Sequence, residues 1–341
     1  MEQPRGCGRH TSKVVSVTDE SESAPDPCCA PSRGEGTSSE AQDPTAQRTP
    51  GPGGVHDDDF VDIASGAFIM GTNEDYRYPG DGEGPAREIT LDAFRIAKYS
   101  VSNRQFAAFV DDTGYRTEAE HFEWSFVFHL FLPEDFPDTR GVAATPWWRQ
   151  VYGADWAHPA GPQSNLNGLS DHPVVHTTWT DAQAYCAWAG VRLPTEAEWE
   201  MAARGGLIQQ RFVWGNEFAP DDQTMCNIFE GSFPVENTAE DGYIGTSPID
   251  AFPPNGFGLH DMAGNVWEWT NDWFHTEFHV TGPRANPHGP PSGEAKVMRG
   301  GSYMCHDSYC HRYRVSARSS NTPDSSAGNL GFRVAADLWS E

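Results

Sequence analysis

The sequence predicts an irregular α+β domain, in which short helices and sparse strands are separated by long loops. Three observations carry this expectation. Large aromatics are abundant, with 12 Trp, 10 Tyr and 19 Phe in 341 residues, so a sizeable core is available. Beyond residue 59 the chain still holds 27 Gly and 19 Pro, which punctuate it too often for long regular elements. Helix starts are legible at only three places, and each is followed by a short run.

In chain order, β-type patterns appear at Gly66–Met70 and Glu88–Ile96. Ser102 with Gln105 then fits a capping box, with Val101 and Phe106 as a hydrophobic staple, and predicts a helix over Asn103–Asp112 ended by Gly114. Thr180 with Gln183 and Thr195 with Glu198 predict helices over Asp181–Ala189 and Glu196–Arg204, ended by Gly190 and Gly205. A last strand is expected around Val297–Gly301. Residues 1–59 contain no Phe, Trp, Tyr, Ile or Leu but 7 Pro and 7 Gly, too little apolar surface to offset ordering entropy. They are expected to form a disordered tail, in which Cys7, Cys28 and Cys29 are assigned no role. Residues 60–341 are expected to form a single domain.

With 23 basic against 49 acidic residues the formal net charge is −26, which argues against a nucleic-acid binder. The longest apolar stretch, from Phe126 to Leu132, is broken by His129 and falls far short of the roughly 18 residues of a membrane span. No secretory leader and no Asn-x-Ser/Thr acceptor is visible, and seven cysteines form no small-domain disulfide framework. A cytoplasmic, reducing location is therefore expected.

Two segments carry chemistry. In RGGSYMCHDSYCHRYR, Arg299 to Arg314, Cys305 and Cys310 lie five positions apart, so their side chains meet only across a bent loop. A disulfide, a zinc site recruiting His306 and His311, a two-thiolate site for a soft ion such as Cu(I), and a pair of inert buried thiols all remain open on spacing alone. From Lys296 to Arg333 there are six Lys or Arg against two acids, either a cationic strip that favours thiolates or a salt-bridged surface. Cys186 and Cys226 read as small core residues. In DMAGNVWEW, Asp261 to Trp269, the side chains of Asp261, Asn265 and Glu268 around Gly264 offer hard oxygen ligands of the kind Ca²⁺ takes. Asn227, Ile228 and Asp241 to Tyr243 make a weaker second segment.

From Phe60 to Trp339 the chain resembles the formylglycine-generating enzymes of the sulfatase-modifying factor family. The scaffold resemblance lies in GAFIMG from Gly66, HPVVHTTWTDAQAYCAW from His172, RLPTEAEWEMAARGG from Arg192, NGFGLHDMAGNVWEW from Asn255 and GNLGFRVA from Gly328. Its specific part is the two-cysteine segment followed by ARSSNTPDSSAGNLGFR from Ala317. The resemblance implies a C-type-lectin-like variant fold with low secondary-structure content, the sulfatase-modifying factor fold. It also implies an oxidoreductase that uses O2 and a thiol reductant. Such an enzyme converts a cysteine within a Cys-x-Pro-x-Arg motif of an unfolded or nascent sulfatase to Cα-formylglycine, and so activates the sulfatase. Cu(I) carries over to Cys305 and Cys310, with Ser302, Tyr309, Trp267 and Asn329 beside the reacting centre. Two structural calcium ions carry over, one to Asn227, Ile228, Asp241 and Tyr243, the other to Asp261, Gly264, Val266 and Glu268.

Secretory relatives have further cysteines near the positions of Val315 and Val334 and carry glycan acceptors; neither feature is present here, which fits a prokaryotic, cytoplasmic type. A monomer is expected, without nucleic-acid or membrane partners. Two other readings of the resemblance compete: an inert peptide-binding module, whose members lack the paired cysteines, and a sulfoxide-forming iron enzyme. The latter needs an added helical domain and a histidine triad, whereas His121, His129, His158, His172 and His176 are scattered.

Overall fold

The computed structural model describes residues 30–33 and 55–338. Strand Phe60–Ile63 opens the domain, pairing antiparallel with Phe94–Ala97, which in turn pairs with Ala335–Asp337 near the end of the described chain. Gly66–Met70 and Arg87–Leu91 form an antiparallel ladder. The single strand expected over Glu88–Ile96 is thus two strands, because the chain leaves one sheet after Leu91 and joins another at Phe94.

Helix α1, Asn103–Thr113, has the expected Ser102–Gln105 box and ends at Gly114. Phe106 and Phe109, three apart on one face, pack on Tyr185 and, for Phe109, Trp188. Helix α2, Glu118–Phe122, was not expected, although Thr117 and Glu120 form a full capping box. Helix α3, Trp179–Ala189, starts two residues earlier than predicted. Its cap is Thr178, because the carboxylate of buried Asp181 takes the Thr178 N–H at 2.8 Å. Helix α4, Glu196–Arg204, is as expected.

Between α2 and α3 lies a sheet of Trp124–Phe128, Thr145–Tyr152 and Gly141–Val142. The sheet that positions the chemistry has the order Arg318–Asn321, Lys296–Arg299, Trp267–Trp273, Leu330–Phe332; its last pairing is parallel and the others antiparallel. Trp267 and Trp269 on its central strand, with Trp199 of α4 and Trp148, are wholly buried in one continuous apolar cluster. No helix among the described residues is long and apolar enough to cross a membrane.

Within the segment read as a disordered tail, residues 30–33 and 55–59 depart from expectation. Ala30 is buried, and Asp57–Asp59 form a short 3-10 turn whose ends hold Arg95 and Lys98. Cys7, Cys28 and Cys29 lie outside the described residues.

The charged face of α4 is turned inward. Glu196, Glu198 and Glu200 are buried, and Asp272 on the central strand accepts the Glu196 N–H at 2.8 Å. Burial, reinforced by Glu196, pushes the Asp272 carboxyl up to about 8. A carboxyl raised in the folded state contributes stability that is complete below its unfolded value near 4 and is lost as pH rises to about 8. Asp272→Asn is therefore expected to gain on the parent between pH 5 and pH 8, by up to about 1.4 kcal/mol per pH unit. Thermal melts at both pH values read this, and parallel curves would contradict it.

Candidate active site

After strand Lys296–Arg299 the chain turns through Gly300 and Gly301, both with positive φ. A Cβ on Gly301 would lie 3.0 Å from the Arg312 carbonyl oxygen, so only glycine lets the outgoing and returning limbs of the loop meet here. The Cys305 N–H donates to the Ser302 carbonyl at 2.8 Å and the Cys310 N–H to the His306 carbonyl at 2.6 Å. These two turns bring the cysteines together across the exposed tip Asp307–Ser308. Their sulfurs are 3.2 Å apart and buried. That separation is well beyond a disulfide bond of about 2.05 Å, so the residues are present as two thiols. Burial, and then the neighbouring sulfur, push the Cys305 thiol well above its ordinary range; Arg312 and a hydrogen bond at Ser302 pull the other way.

The other expected residues flank the pair. Ser302 Oγ accepts from Asn329 Nδ2 at 3.1 Å and from the Met304 N–H at 3.3 Å. Trp267 donates its backbone N–H to the Asn329 carbonyl at 2.9 Å, and its own indole N–H is buried without an acceptor. Asn329 thus ties the central strand to the cysteine loop. Tyr309 stacks on Phe233 with centroids 4.3 Å apart and meets Trp147 edge-on at 5.0 Å, a clamp the sequence did not reveal. Beside Tyr303 a cleft of about 340 Å³ opens between Phe128, Phe131 and Gly328.

The zinc alternative loses its histidines. His311 Nδ1 is bonded to Tyr78 Oη at 2.7 Å and Nε2 to the Tyr76 carbonyl at 2.9 Å, while His306 Nδ1 faces Ser308 Oγ at 2.7 Å. Among the described residues neither ring joins the two thiols in a group that could hold a metal. His176 is likewise committed, to Ser125 and the Pro159 carbonyl, and burial lowers it to about 4. His158 bonds Asp155, His172 bonds Thr246 and His129 bonds the Pro234 carbonyl. Cys186 and Cys226 are core residues whose thiols burial pushes up.

The run of basic residues is neither a cationic strip nor a surface. Arg299 donates to Glu196 and Glu200, Arg318 to Glu196, Arg314 to Glu83 and Arg333 to Glu268, all in the interior. Lys296 sits between the rings of Trp179 and Trp273. Arg312 is held by Asp81 and brings Nη1 to 3.7 Å from Cys310 Sγ, a contact between the basic run and the thiol pair. Its anchor Asp81, some 230 residues away in sequence, was not foreseen.

In the first expected calcium set, Asn227 Oδ1 and Asp241 Oδ2 are buried oxygens with no hydrogen-bond partner. In the second, Asp261 Oδ1 is equally unmatched. Burial raises Asp241 to about 6, with Glu230 adding to it, and raises Asp261 to about 7. Three buried oxygens without donors fit hard cations. Gly264 is essential to this geometry, because a Cβ there would lie 2.3 Å from the Asn227 carbonyl oxygen. Glu268 departs from the expected set. Oε1 takes Ser100 and Arg333, and Oε2 takes Trp199 and Arg333, which uses the lone pairs of both oxygens. Its carboxylate is an anchor for Arg333 rather than a spare ligand. Asn265, counted as a ligand by the sequence, instead organises the region. Its amide binds Asp261 and Ser247, and its carbonyl accepts the Tyr303 N–H two residues before Cys305. No group of three or more His, Cys, Asp or Glu among the described residues is placed to hold a metal, so a cation here would need amide and carbonyl oxygens besides the Asp241 or Asp261 carboxylate.

The described residues thus form a loop-rich α+β domain in which one loop carries two adjoining buried thiols. The chain belongs to the family of the sulfatase-modifying factor enzyme 1-like domain, whose model matches residues 46–338, and is a homologue of the formylglycine-generating enzymes, which are oxidases. It is 55% identical over 282 residues to the formylglycine-generating enzyme of Thermomonospora curvata, covering 82% of this chain and 93% of that one. It is 46% identical over 289 residues to the inactive Cα-formylglycine-generating enzyme 2 of Mus musculus, covering 83% and 87%. The fold is shared with PvdO from Pseudomonas aeruginosa, with a TM-score of 0.58, 25% identity and coverage of 82% and 94%.

Proposed function

We propose that this chain oxidises a cysteine within Cys-x-Pro-x-Arg of a nascent or unfolded sulfatase to Cα-formylglycine, using O2, a thiol reductant and Cu(I) held by Cys305 and Cys310. The observation that carries the reading is the buried thiol pair, since similarity extends to a relative named inactive. Two sulfurs without a carboxylate or imidazole beside them suit a soft monovalent ion of low coordination number and repel hard ones. Copper bound there supplies the one-electron chemistry that lets dioxygen react.

The remaining work falls to side chains. Binding a soft ion requires both thiols to lose protons, and the Arg312 guanidinium near Cys310 favours the charged form. Asn329 fixes the Ser302 oxygen by donating to it, which leaves the hydroxyl proton free to serve the reacting centre. The clamp of Phe233 and Trp147 holds the Tyr309 ring rigid at the mouth of the loop. The unmatched Trp267 N–H is a buried donor of the kind a dioxygen pocket would employ. The reaction belongs in a reducing cytoplasm, whose thiols supply the reductant, and is carried out by a monomer.

Titration of Cu(I) against a chromophoric chelator is expected to show one ion per chain, and none at that affinity in Cys305→Ala. Equal binding by the variant would remove the assignment. Calcium ions held by Asn227, Ile228, Asp241 and Tyr243, and by Asp261, Gly264 and Val266, tie the loops together. Chelation is expected to lower the melting temperature by several degrees, corresponding to about 1–3 kcal/mol. Asp261→Ala is expected to do likewise and to blunt the response to chelator; an unchanged melt in both cases would contradict a structural role.

A further inference from the structure

Residues 29–33 read Cys-Ala-Pro-Ser-Arg, the one Cys-x-Pro-x-Arg in the 341 residues. They lie outside the 46–338 matched by the family model. Four of the five, 30–33, are described, and they are seated on the domain rather than merely adjacent to it. Ala30 and Pro31 are buried. Asn321 Nδ2 donates to the Pro31 carbonyl at 3.1 Å, and Asn321 Oδ1 accepts from Ser32 Oγ at 2.5 Å. The Arg33 N–H donates to Ser325 Oγ at 3.0 Å. Its guanidinium donates to the carbonyls of Asp324 and Trp124 at 2.9 and 2.8 Å and to Ser326 Oγ at 2.7 Å. It also lies 4.3 Å from the centre of the Phe122 ring and 4.1 Å from that of Trp124.

This seat is selective by construction. Pro31 is tolerated because the seat asks only for its carbonyl. A planar fork lying against two aromatic rings, with one acceptor at Nε and two at Nη2, is matched by arginine and not by lysine. The seat is connected through the chain to the candidate active site. Ser326 Oγ bonds Ser125, and three residues further on Asn329 binds Ser302, whose carbonyl takes the Cys305 N–H. The walls of the seat, Asn321 to Ser326, belong to the segment that follows the two cysteines and shares their specific resemblance. The chain therefore presents the recognition half of the substrate signature to its own domain.

We propose that residues 29–33 are an internal substrate: the seat reads Ala-Pro-Ser-Arg, and Cys29 is a modification site converted to formylglycine. This inference rests on the proposed function. In the reaction the Cβ–S bond and one Cβ–H bond of Cys29 break and a C=O bond forms. Dioxygen accepts four electrons, two from Cβ and two from a pair of reductant thiols that leave as a disulfide. The products are the aldehyde, hydrogen sulfide and water.

The test incubates the full chain in air with one equivalent of Cu(I) and a thiol reductant, with a synthetic Cys-x-Pro-x-Arg peptide in the same tube. Trypsin cuts after Lys13 and Arg33, releasing residues 14–33 for fragment-ion mass spectrometry. The expected result is a loss of about 18 mass units at Cys29 and not at Cys28, the difference between thiol and aldehyde. It should be absent in Cys310→Ala and about tenfold lower in Arg33→Lys, which keeps the tryptic site but loses the fork. Turnover of the synthetic peptide by Arg33→Lys shows that this variant is folded. Conversion of the synthetic peptide with Cys29 unchanged overturns the inference and leaves the proposed function standing. Conversion of neither overturns both, and modification of Cys28, or equal conversion in Arg33→Lys, overturns the role of the seat.

Discussion

Replacing Cys305 or Cys310 by alanine is expected to abolish conversion of a sulfatase peptide, by at least about 10³-fold in kcat, and each single variant should be as inactive as the double. The reason is geometric. The sulfurs lie 3.2 Å apart, buried, and away from any carboxylate or imidazole ligand, so neither alone can hold a soft ion. The fold should survive. The loop is closed by backbone bonds from Cys305 to Ser302, Cys310 to His306 and Phe229 to Cys305, none of which needs a thiol. Loss of one small buried side chain costs about 1 kcal/mol, so far-ultraviolet circular dichroism and the melting temperature should stay near the parent values. Normal turnover in either variant would sink the copper assignment, and an unfolded variant would show that the pair is structural.

The largest stability effect is expected at Glu83→Ala, about 3–5 kcal/mol, because it strands a guanidinium in the interior. Glu83 and Arg314 side chains are wholly buried and joined at 2.6 and 2.7 Å, with Ser316 Oγ and the Tyr78 N–H completing the carboxylate's partners. Burial alone would raise the Glu83 carboxyl, but Arg314 and the hydrogen bonds of Tyr78 and Ser316 together outweigh it and hold it below its ordinary value. A depressed carboxyl contributes stability that is present above its unfolded value near 4.5 and is lost as pH falls through the lower folded value. The deficit of Glu83→Ala in urea unfolding should therefore be full at pH 7 and shrink under acid conditions. Asp171→Ala, which breaks the exposed pair with Arg104, should cost less than about 1 kcal/mol. Similar costs for the two would show that the buried pair is not the strut described. The loop carrying Glu83 also carries Asp81, the anchor of Arg312, so activity should fall with stability in Glu83→Ala.

What could be read in advance followed from local chemistry. Ser102–Gln105 and Thr195–Glu198 announced α1 and α4 because a capping box needs only four consecutive residues. The same rule at Thr117–Glu120 marks α2. The convergence of Cys305 and Cys310 was legible because no straight strand or helix brings positions five apart together, and glycines preceded them. Pairings between distant segments were not legible. Arg314 finds Glu83 and Arg333 finds Glu268 across 231 and 65 positions, so a run of basic residues that reads locally as a cationic strip or a salt-bridged surface forms interior struts. Ala30 to Arg33 escaped for a related reason. A count of apolar residues does not register a segment held by hydrogen bonds and cation–π contacts.

The central claim is that the dithiol loop, loaded with Cu(I), turns a peptide cysteine into an aldehyde. Its most direct test is mass spectrometry of a synthetic Cys-x-Pro-x-Arg peptide incubated in air with the purified chain and a thiol reductant, with and without one equivalent of Cu(I). A copper-dependent loss of about 18 mass units is expected, with capture of the product by a hydrazide, which reacts with aldehydes. An unchanged peptide mass with fully copper-loaded protein would contradict it and leave a peptide-binding domain in its place.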